Sequence, residues 1–412
     1  MGKGKAIGIL FPICILFSLY TLFQGWIPHW GAVIYLSLVF SIILFFSRSL
    51  EFFGNRVFIF FVLYVTILLL NILTGDTYWG VSPFPIISSL LMMLSSLMAV
   101  HYFLLKSEER YKFESNLVLT VLILLTLTTI STGLLSLTNP QVVRFAMEEN
   151  NFYGNDTILK EMFRFGMSNY NLPHAIPVII PAFVLCIKNR NLGKKRWIGA
   201  LGVILSFALI FYSGATTSLL LGFIALLASM AISSNGKSTV RKLLLVGVLI
   251  LPFLSQDLVL NAVRTLENAL GEENYFYARL VDIEDSITGE TMEGDVNTRQ
   301  ELYEQSWDAF INNPILGTDG EVGGHSVMLD FFATLGLVGV LPFLGLLLSI
   351  FVWIRKRLPP GTAAYYTVGF MTGLLMLCLK SMNNLEMWFF LICFLPILVK
   401  KYGEGWLRLN KA

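Results

Sequence analysis

The feature of this sequence that most limits its fold is a succession of long apolar stretches that contain almost no charge. A helix needs roughly 20 apolar residues to cross a bilayer. Stretches of about this kind cover residues 6–23, 31–47, 57–73, 84–105, 117–137, 172–187, 197–212, 214–232, 241–260, 326–354, 362–380 and 385–399. Charged residues make up only 14% of the chain, whereas a soluble protein carries about 25%. We therefore predict an all-α polytopic membrane protein with about twelve transmembrane helices in a single membrane domain over residues 1–412.

Lysine and arginine predict the orientation of the chain, because they concentrate in cytoplasmic loops. With both termini in the cytoplasm, the inner loops are basic, and few such residues fall on the outer side: Arg144, Lys160, Arg164, Arg264, Arg279, Arg299 and Lys380. The first span follows Met-Gly-Lys-Gly-Lys and has no small-residue cleavage site. We therefore interpret it as an anchor and not as a signal peptide.

Composition and spacing disfavour several other classes of protein. The net charge of +2 gives no basic excess for a nucleic-acid partner. The cysteines lie in apolar runs without a CxxC pair, so neither a disulfide framework nor a zinc site is indicated: Cys14, Cys186, Cys378 and Cys393. Residues 235–238 read like the end of a phosphate loop, but no strand precedes them. We expect no metal and no cofactor.

Two outer segments, 138–171 and 261–325, are too long to be simple connections. Loops above roughly 15 residues are usually functional or disordered, and helical patterns in both segments favour function. The acidic part of the second loop, 271–295, lacks the spacing of a calcium loop. We interpret it as a solvated surface, although its composition leaves metal binding open.

The second outer loop contains the pattern of an amphipathic helix. Thr298-Arg299-Gln300-Glu301 predicts a capping box at its start, and Asn312-Asn313-Pro314 with Gly317 predicts its end. Between them, one stripe at helical spacing is apolar: Tyr303, Trp307, Phe310 and Ile311. Such a helix is expected to lie in the membrane interface, in contact with lipid.

Arg299 admits two interpretations. It falls in the first turn of this predicted helix, where the helix dipole disfavours a cation. An arginine beside a helix N-terminus suits a diphosphate group. An arginine that snorkels to lipid headgroups has the same spacing. The spacing alone leaves both interpretations open.

The first outer loop predicts a shorter helix, with Asp156 as its N-cap and Gly166 as its stop. Arg164 falls in the last turn, where the helix dipole favours a cation. His174 follows at the entrance to the membrane. We interpret it as an interfacial histidine with satisfied hydrogen bonds.

His325 stands at the outer mouth of the tenth apolar stretch, within Gly323-Gly324-His325-Ser326. The glycines allow a substrate to approach closely, and a histidine there suits a general base that acts on a hydroxyl. The alternative is a structural histidine. Asp330 lies about 140° round a regular helix from His325, so it is not expected to be its partner. Gly336 and Gly339 suit close packing between helices.

A polar link joins the last two apolar stretches on the same outer side: Lys380, Asn383, Asn384 and Glu386. An ion inside the bilayer is expensive, so a lysine at its edge is usually paired or functional. We expect Glu386 to pair with Lys380. A short solvated turn is the alternative.

A spaced motif connects His325 with the two glycines. His325-Ser326, then nine residues, then Gly336-Leu337-Val338-Gly339 resembles the signature of the bacterial O-antigen ligases and the related O-antigen and capsule polymerases. Two further stretches are similar to other motifs of that family. The similar residues are Arg299, Trp307, Ala309, Asn313, Pro314 and Gly317 in one, and Arg164, Phe165, Gly166, Asn169, Tyr170 and Asn171 in the other.

The resemblance implies an inverting, metal-independent glycosyltransferase with a GT-C-like membrane architecture. Its substrates would be oligosaccharides on undecaprenyl diphosphate at the outer face of the bacterial cytoplasmic (inner) membrane. A chain-length regulator and a flippase would be its partner proteins.

The same resemblance assigns roles to particular residues. Arg299 would hold the donor diphosphate, and Arg164 would help to bind diphosphate or glycan. His325 would deprotonate or orient the acceptor hydroxyl. The 261–325 segment would be the catalytic loop, and the supporting residues would be Ser326, Asp330 and Glu386.

One departure from the family bears on the activity. Its ligases often carry an arginine in a Ser-Arg-Thr-like stretch at the outer end of a middle span, whereas residues 213–218 read Ser-Gly-Ala-Thr-Thr-Ser. We therefore predict a polymerase of lipid-linked repeat units, with a glycan ligase as the alternative. A second phosphate contact would come from Arg264, Arg279 or Lys380.

A lipid-linked glycan transporter or flippase is the alternative of a different class. Twelve spans suit it, but the two halves of the sequence show no internal repeat. The charged residues concentrate in the outer loops and not within the spans, where a transport path needs them.

Overall fold

The computed structural model describes residues 3–27, 29–46, 49–74, 84–105, 110–138, 161–232, 295–318, 322–359, 361–380 and 383–404, with isolated positions between 260 and 284. Helices dominate, and no described residue lies in a β-strand. The helices are Lys3–Leu19, Thr21–Trp26, Trp30–Phe46, Arg56–Thr74, Phe84–Leu105, Arg110–Thr138, Asn171–Ala175, Ile180–Lys188, Arg196–Tyr212, Thr216–Ala231, Asp295–Asn312, Val327–Arg355, Ala363–Leu379, Leu385–Trp388 and Leu395–Gly403. Short 3-10 or π-helical stretches cover Leu50–Gly54, Ile176–Ile179, Arg190–Lys195 and Phe389–Phe394.

Several helices have the length and composition of membrane spans. Six are long and apolar enough to cross a bilayer: Arg56–Leu73, Pro85–Leu104, Phe113–Thr138, Asn171–Lys188, Arg190–Tyr212 and Val327–Arg355. Shorter apolar helices cover Ala6–Leu19, Trp30–Phe46, Thr216–Ala231 and Ala363–Leu379. The prediction of an all-helical, multi-pass membrane protein is confirmed at this level. The ninth predicted stretch, 241–260, lies almost wholly outside the described residues, so the count of twelve stays a prediction.

Two stretches form the centre of the helical bundle. Every residue is buried over 172–186 and again over 387–399. The two stretches meet through the rings of Phe183 and Phe394, which pack edge to face at 6.3 Å. Gly202 lets a third helix lie directly against Phe183, because a Cβ at Gly202 would run into that ring. Small residues at such contacts are typical of membrane helices, which lack a hydrophobic driving force for association.

Hydrogen bonds between distant segments join ends that the predicted orientation puts on the same side of the membrane. At the outer end, the pairs are Thr21–Met167, Asn71–Thr334 and Ser89–Asn383. At the inner end, they are Asn189–Tyr402, Lys400–Leu104 and Asn116–Gly8. The bundle therefore has two ends that correspond to the two predicted sides, while the assignment of one end to the cytoplasm remains a prediction from charge.

The helix Val327–Arg355, here called the broken helix, is interrupted at Gly336. Gly336 has φ 56° and ψ −167°, a conformation that essentially only glycine adopts. A Cβ at this position would also collide with the carbonyl oxygen of Ile315. The apolar stretch predicted over 326–354 is found as this helix, which is long and apolar enough to cross a bilayer. Gly336 packs closely, as predicted, but against a turn of the chain and not against a second helix. It also breaks the helix, and the break lets that turn insert.

The inserted segment is residues 313–318, here called the Pro314 turn. Its carbonyls accept hydrogen bonds from the amides released by the break, Leu337 N–H to Pro314 at 2.9 Å and Val338 N–H to Ile315 at 3.1 Å. In return, Thr318 N–H donates to the vacated carbonyl of Ala333 at 2.8 Å. Unsatisfied backbone groups are costly at membrane depth. The Pro314 turn therefore makes the break tolerable.

A side chain completes this exchange. The carbonyl of Thr334, which would otherwise accept from Val338, accepts from the Asn71 amide at 3.2 Å. Gly317 is required on the opposite side of the contact, because it has φ 82° and a Cβ there would collide with the Thr334 carbonyl. The contact therefore links three segments of the chain, two through backbone groups and the third through the Asn71 side chain.

Candidate functional site

A buried carboxylate organises the loop that carries His325. Asp330 lies in the first turn of the broken helix and is fully buried. Its Oδ1 accepts from Ser306 Oγ at 2.7 Å and from Gly324 N–H at 3.1 Å, and its Oδ2 accepts from Ser326 N–H at 3.2 Å. The two backbone amides flank His325. The carboxylate therefore fixes the main chain on both sides of the histidine.

Two serines complete the support of this loop. Ser326 caps the broken helix, because its Oγ accepts from Leu329 N–H at 3.2 Å. Ser306, which is 1% exposed on the helix Asp295–Asn312, donates to Asp330 and accepts from Gly323 N–H at 2.9 Å. The loop 323–326 is thus held between that helix and the broken helix.

His325 and Asp330 do not lie on one continuous helix, so the angle expected between them on a regular helix does not describe their arrangement. The helix begins at Val327, and Ser326 before it is extended, so His325 does not lie on the helix. Asp330 contacts the main chain next to His325. The supporting role expected of Ser326 and Asp330 stays a prediction, and these contacts give it a physical form.

His325 itself is half-buried, and its Nε2 atom is buried. Its ring lies beside that of Tyr303, with 6.2 Å between the centroids. The Tyr303 hydroxyl donates to the carbonyl of Leu379 at 2.8 Å. Tyr303 therefore connects the histidine to the outer end of the helix Ala363–Leu379.

Lys380 joins this region to the first outer loop. It is 4% exposed, and its carbonyl accepts from Val327 N–H at 3.2 Å, two residues after His325. Its Nζ donates to the hydroxyl of Tyr170 at 3.3 Å. The Tyr170 ring in turn packs edge to face on His174 at 4.5 Å. The end of the first outer loop and the start of the broken helix therefore meet at one buried lysine.

The expected pairing of Lys380 with Glu386 is not found. The carboxylate of Glu386 is buried and accepts from the Asn169 amide at 2.5 Å. The Asn169 side-chain oxygen also accepts a hydrogen bond from Leu172 N–H at 2.8 Å. Lys380 and Glu386 thus bond to two neighbouring residues of the first outer loop, Tyr170 and Asn169, and not to each other.

The prediction that His174 has satisfied hydrogen bonds is confirmed. His174 is buried, and its Nδ1 forms a hydrogen bond with Ser218 Oγ. The predicted stop at Gly166 is confirmed too. Gly166 has φ 78°, and it and Met167 donate to Phe163 and Met162 to close the helix. Asp156 lies outside the described residues.

Arg164 is exposed and lies against the end of the first span. Its Nε donates to the carbonyl of Gly25 at 3.1 Å. The indole of Trp26 donates back to the Arg164 carbonyl at 2.9 Å, and the guanidinium lies 5.7 Å from that ring. A cation over an aromatic face is stabilised electrostatically. No described contact joins Arg164 to His325.

The structure describes the other three candidate arginines, Arg264, Arg279 and Arg299, to different extents. Arg264 pairs with Glu284 at 2.7 Å, and this hydrogen bond lowers the pKa of that carboxyl. Arg279 lies outside the described residues. Arg299 lies in the helix Asp295–Asn312, but its side chain is outside the described part. Its role stays a prediction.

The helix Asp295–Asn312, here called the outer-loop helix, begins earlier than expected. The capping box predicted at Thr298 is wrong, because the helix already starts at Asp295. An acidic residue at the start suits the helix dipole. Arg299 therefore falls one turn further in, away from the exposed N–H groups. The predicted end at Asn312 is confirmed.

The predicted apolar stripe of the outer-loop helix is divided between two environments. Phe310 packs edge to face on Phe332 of the broken helix at 5.2 Å. Trp307 and Ile311 are instead 49% and 55% exposed. Because these two face away from the protein, the helix is suited to contact with lipid, as predicted.

Sequence reasoning did not find Ser306 or assign a separate role to Tyr303. Ser306 sits between Tyr303 and Phe310 at helical spacing and interrupts an otherwise apolar face. A small polar residue in such a place signals a buried polar partner, which is here Asp330. That partner lies 24 positions away, so periodicity alone does not identify it.

We expect Asp330→Asn to destabilise the protein by roughly 1–3 kcal/mol, since an asparagine amide has only one acceptor oxygen and its NH₂ group would face a backbone N–H or the Ser306 hydroxyl. Thermal unfolding of the purified protein in detergent measures this. Asp308→Asn is the matched control, because Asp308 is exposed on the same outer-loop helix. Equal melting temperatures for the two variants would contradict the role of Asp330.

These features define a polytopic helical membrane protein in which the described residues 161–171 and 323–327 both meet Lys380 at one end of the bundle. No protein-family model matches the chain, and no curated protein matches it. The similarity to O-antigen ligases and polymerases therefore rests on the motif residues alone.

Proposed function

We propose that this protein is a polymerase that joins lipid-linked oligosaccharide repeat units at the outer face of the bacterial cytoplasmic membrane. The observation that carries the proposal is the support of His325. A buried carboxylate holds the amides on both sides of it. The carbonyl of the buried Lys380 accepts from Val327 N–H, two residues after His325. A histidine held this firmly at the membrane surface suits proton transfer from a substrate hydroxyl.

The proposed reaction is a single displacement with inversion. The donor is the growing chain on undecaprenyl diphosphate, and the acceptor is a hydroxyl of a new repeat unit. The acceptor oxygen bonds to the anomeric carbon while the bond from that carbon to the diphosphate oxygen breaks. His325 takes the acceptor proton, and undecaprenyl diphosphate leaves with the bonding electron pair.

The leaving diphosphate needs a cation. Tyr303, whose ring lies beside His325, is four positions after Arg299 in the outer-loop helix. Positions four apart share one helix face, so on a regular helix position 299 is expected on the same face as Tyr303. Lys380 is the second candidate. An arginine binds a diphosphate through two parallel hydrogen bonds, which lysine cannot do.

The choice of polymerase over ligase rests on residues 213–218. The turn after the helix Arg196–Tyr212 contains Gly214 with φ 63° and no cation. Ligases of the similar family often have an arginine there. A polymerase accepts the same kind of molecule that it donates, so one set of glycan contacts serves both substrates.

Reconstitution of the purified full-length chain in liposomes tests the proposal. The substrate is undecaprenyl-diphosphate-linked repeat unit extracted from cells of the source organism that lack this protein, with no nucleotide added. We expect a ladder of product lengths on a gel. Transfer of a single unit, seen only when an acceptor glycolipid is added, would establish a ligase instead. Movement of the substrate across the bilayer without any product would establish a transporter.

A further inference from the structure

A polar cavity lies at the outer end of the bundle and is separate from the loop of His325. Its volume is about 240 Å³, slightly below the roughly 300–1,000 Å³ of most small-molecule sites. It is bounded by the end of the first span, the starts of the helices Trp30–Phe46 and Phe84–Leu105, the first outer loop and the link before Leu385. This size suits one sugar ring better than a whole oligosaccharide.

The lining of the cavity is rich in carboxamides. They belong to Gln24, Asn169, Asn171, Asn383 and Asn384. Each carboxamide offers two donors and one acceptor oxygen, which is the mixture that sugar hydroxyls require.

The fold uses only part of this capacity. Asn383 accepts from the Trp388 indole at 2.9 Å, and Asn384 accepts from Met387 N–H at 3.0 Å. Within the described part of the chain, no hydrogen bond is seen for the side chains of Gln24 and Asn171. Polar groups of these two residues are therefore available to a ligand.

The charge of the lining selects against phosphate. Among the lining residues that the structure describes there is no lysine or arginine, whereas Glu386 contributes a carboxyl group. A carboxylate in the wall repels an anion, but it accepts hydrogen bonds from neutral hydroxyls. Trp30 adds an aromatic side chain to the wall, next to Phe23. The cavity therefore suits a neutral, hydroxyl-rich ligand.

The cavity is also connected to the candidate site. Asn169 bonds to Glu386 in the wall, and its neighbour Tyr170 bonds to Lys380. Lys380 in turn bonds to Val327, two residues after His325. We propose that this cavity is a glycan subsite that binds one neutral sugar of the lipid-linked oligosaccharide. The inference rests on the proposed function, which it deepens by locating a sugar-binding position.

The first test separates binding from catalysis. Asn171→Ala removes an amide that the fold does not use, so we expect KM for the lipid-linked repeat unit to rise about fivefold to tenfold with kcat nearly unchanged. Asn191→Ala, at the inner end of the bundle, is the matched control and should leave both constants unchanged. An unchanged KM for Asn171→Ala would overturn the subsite.

The second test does not depend on turnover. Asn171→Cys is made in a Cys378→Ser background, because the other native cysteines are buried. The rate of labelling by a neutral maleimide is then measured with the lipid-linked repeat unit, with undecaprenyl diphosphate alone, or with neither. We expect only the glycan-bearing lipid to slow the labelling of Asn171→Cys, and neither lipid to slow that of Asn191→Cys.

The outcomes distinguish the two proposals. Equal protection by undecaprenyl diphosphate alone, or no protection by either lipid, would overturn the glycan subsite even where a polymer ladder forms. Protection by the glycan-bearing lipid in a protein that forms no ladder would support the subsite while the proposed polymerase activity fails.

Discussion

Replacing His325 with alanine is expected to lower kcat for glycosyl transfer by about 10²–10⁴-fold, the usual contribution of a general base. The loop around it should remain intact, because Asp330 bonds to the backbone of Gly324 and Ser326 and not to the imidazole. KM for the lipid-linked repeat unit should therefore change little. Initial rates in the reconstituted liposomes measure both constants.

Two further variants make this prediction specific. His325→Gln keeps a polar side chain of similar size but cannot take up the proton, so it should be as inactive as His325→Ala. His29→Gln is the matched control, because His29 is an exposed histidine in a different outer turn. Full polymer length from His325→Ala would show that the histidine is structural.

The largest effect on stability is expected from Gly336→Ala. The substitution forces a side chain into a conformation that essentially only glycine adopts, at a cost of about 1–3 kcal/mol. It also places a Cβ against the carbonyl of Ile315. Relief of that collision would break the bonds from Leu337 and Val338, each worth about 1 kcal/mol. We expect a total loss of roughly 3 kcal/mol or more.

Thermal unfolding in detergent measures this loss, and Gly54→Ala is its control. Gly54 ends a short 3-10 helix at the opposite end of the bundle, and a Cβ there meets nothing within 4 Å. Gly317→Ala tests the other side of the same contact and should resemble Gly336→Ala. A Gly336→Ala protein as stable as Gly54→Ala would mean that the break is not needed for folding.

Much of the architecture follows from hydrophobic pattern, because a bilayer requires long apolar helices. The ends at Asn312 and Gly166 were also predictable, since glycine, asparagine and proline stop helices by local chemistry. The break at Gly336 was not predictable in this way. An apolar run carries no signal for an interruption whose backbone groups are satisfied by a turn about 20 residues earlier.

The candidate site also has a part that the sequence predicts and a part that it does not. His325 and the outer link are visible as polar residues at the edge of apolar runs. The contacts that hold these residues are not visible in the sequence. Asp330, which supports the His325 loop, bonds to Ser306, and Lys380 of the outer link bonds to Tyr170, 210 positions away. The helical wheel placed Asp330 away from His325 only because it assumed a regular helix through both. Three-dimensional contacts of this kind depend on how the loops fold back.

The contact between the Pro314 turn and the broken helix bears on how far such a sequence can diverge. It is made largely by backbone groups, so it restricts few side chains beyond the glycines at 317 and 336. Ile315, Leu337 and Val338 contribute their main chains and can be exchanged for other residues that suit lipid or protein surroundings. A chain built in this way can drift through most of its positions and keep the same geometry, with only a sparse set of spaced glycines left to mark common descent.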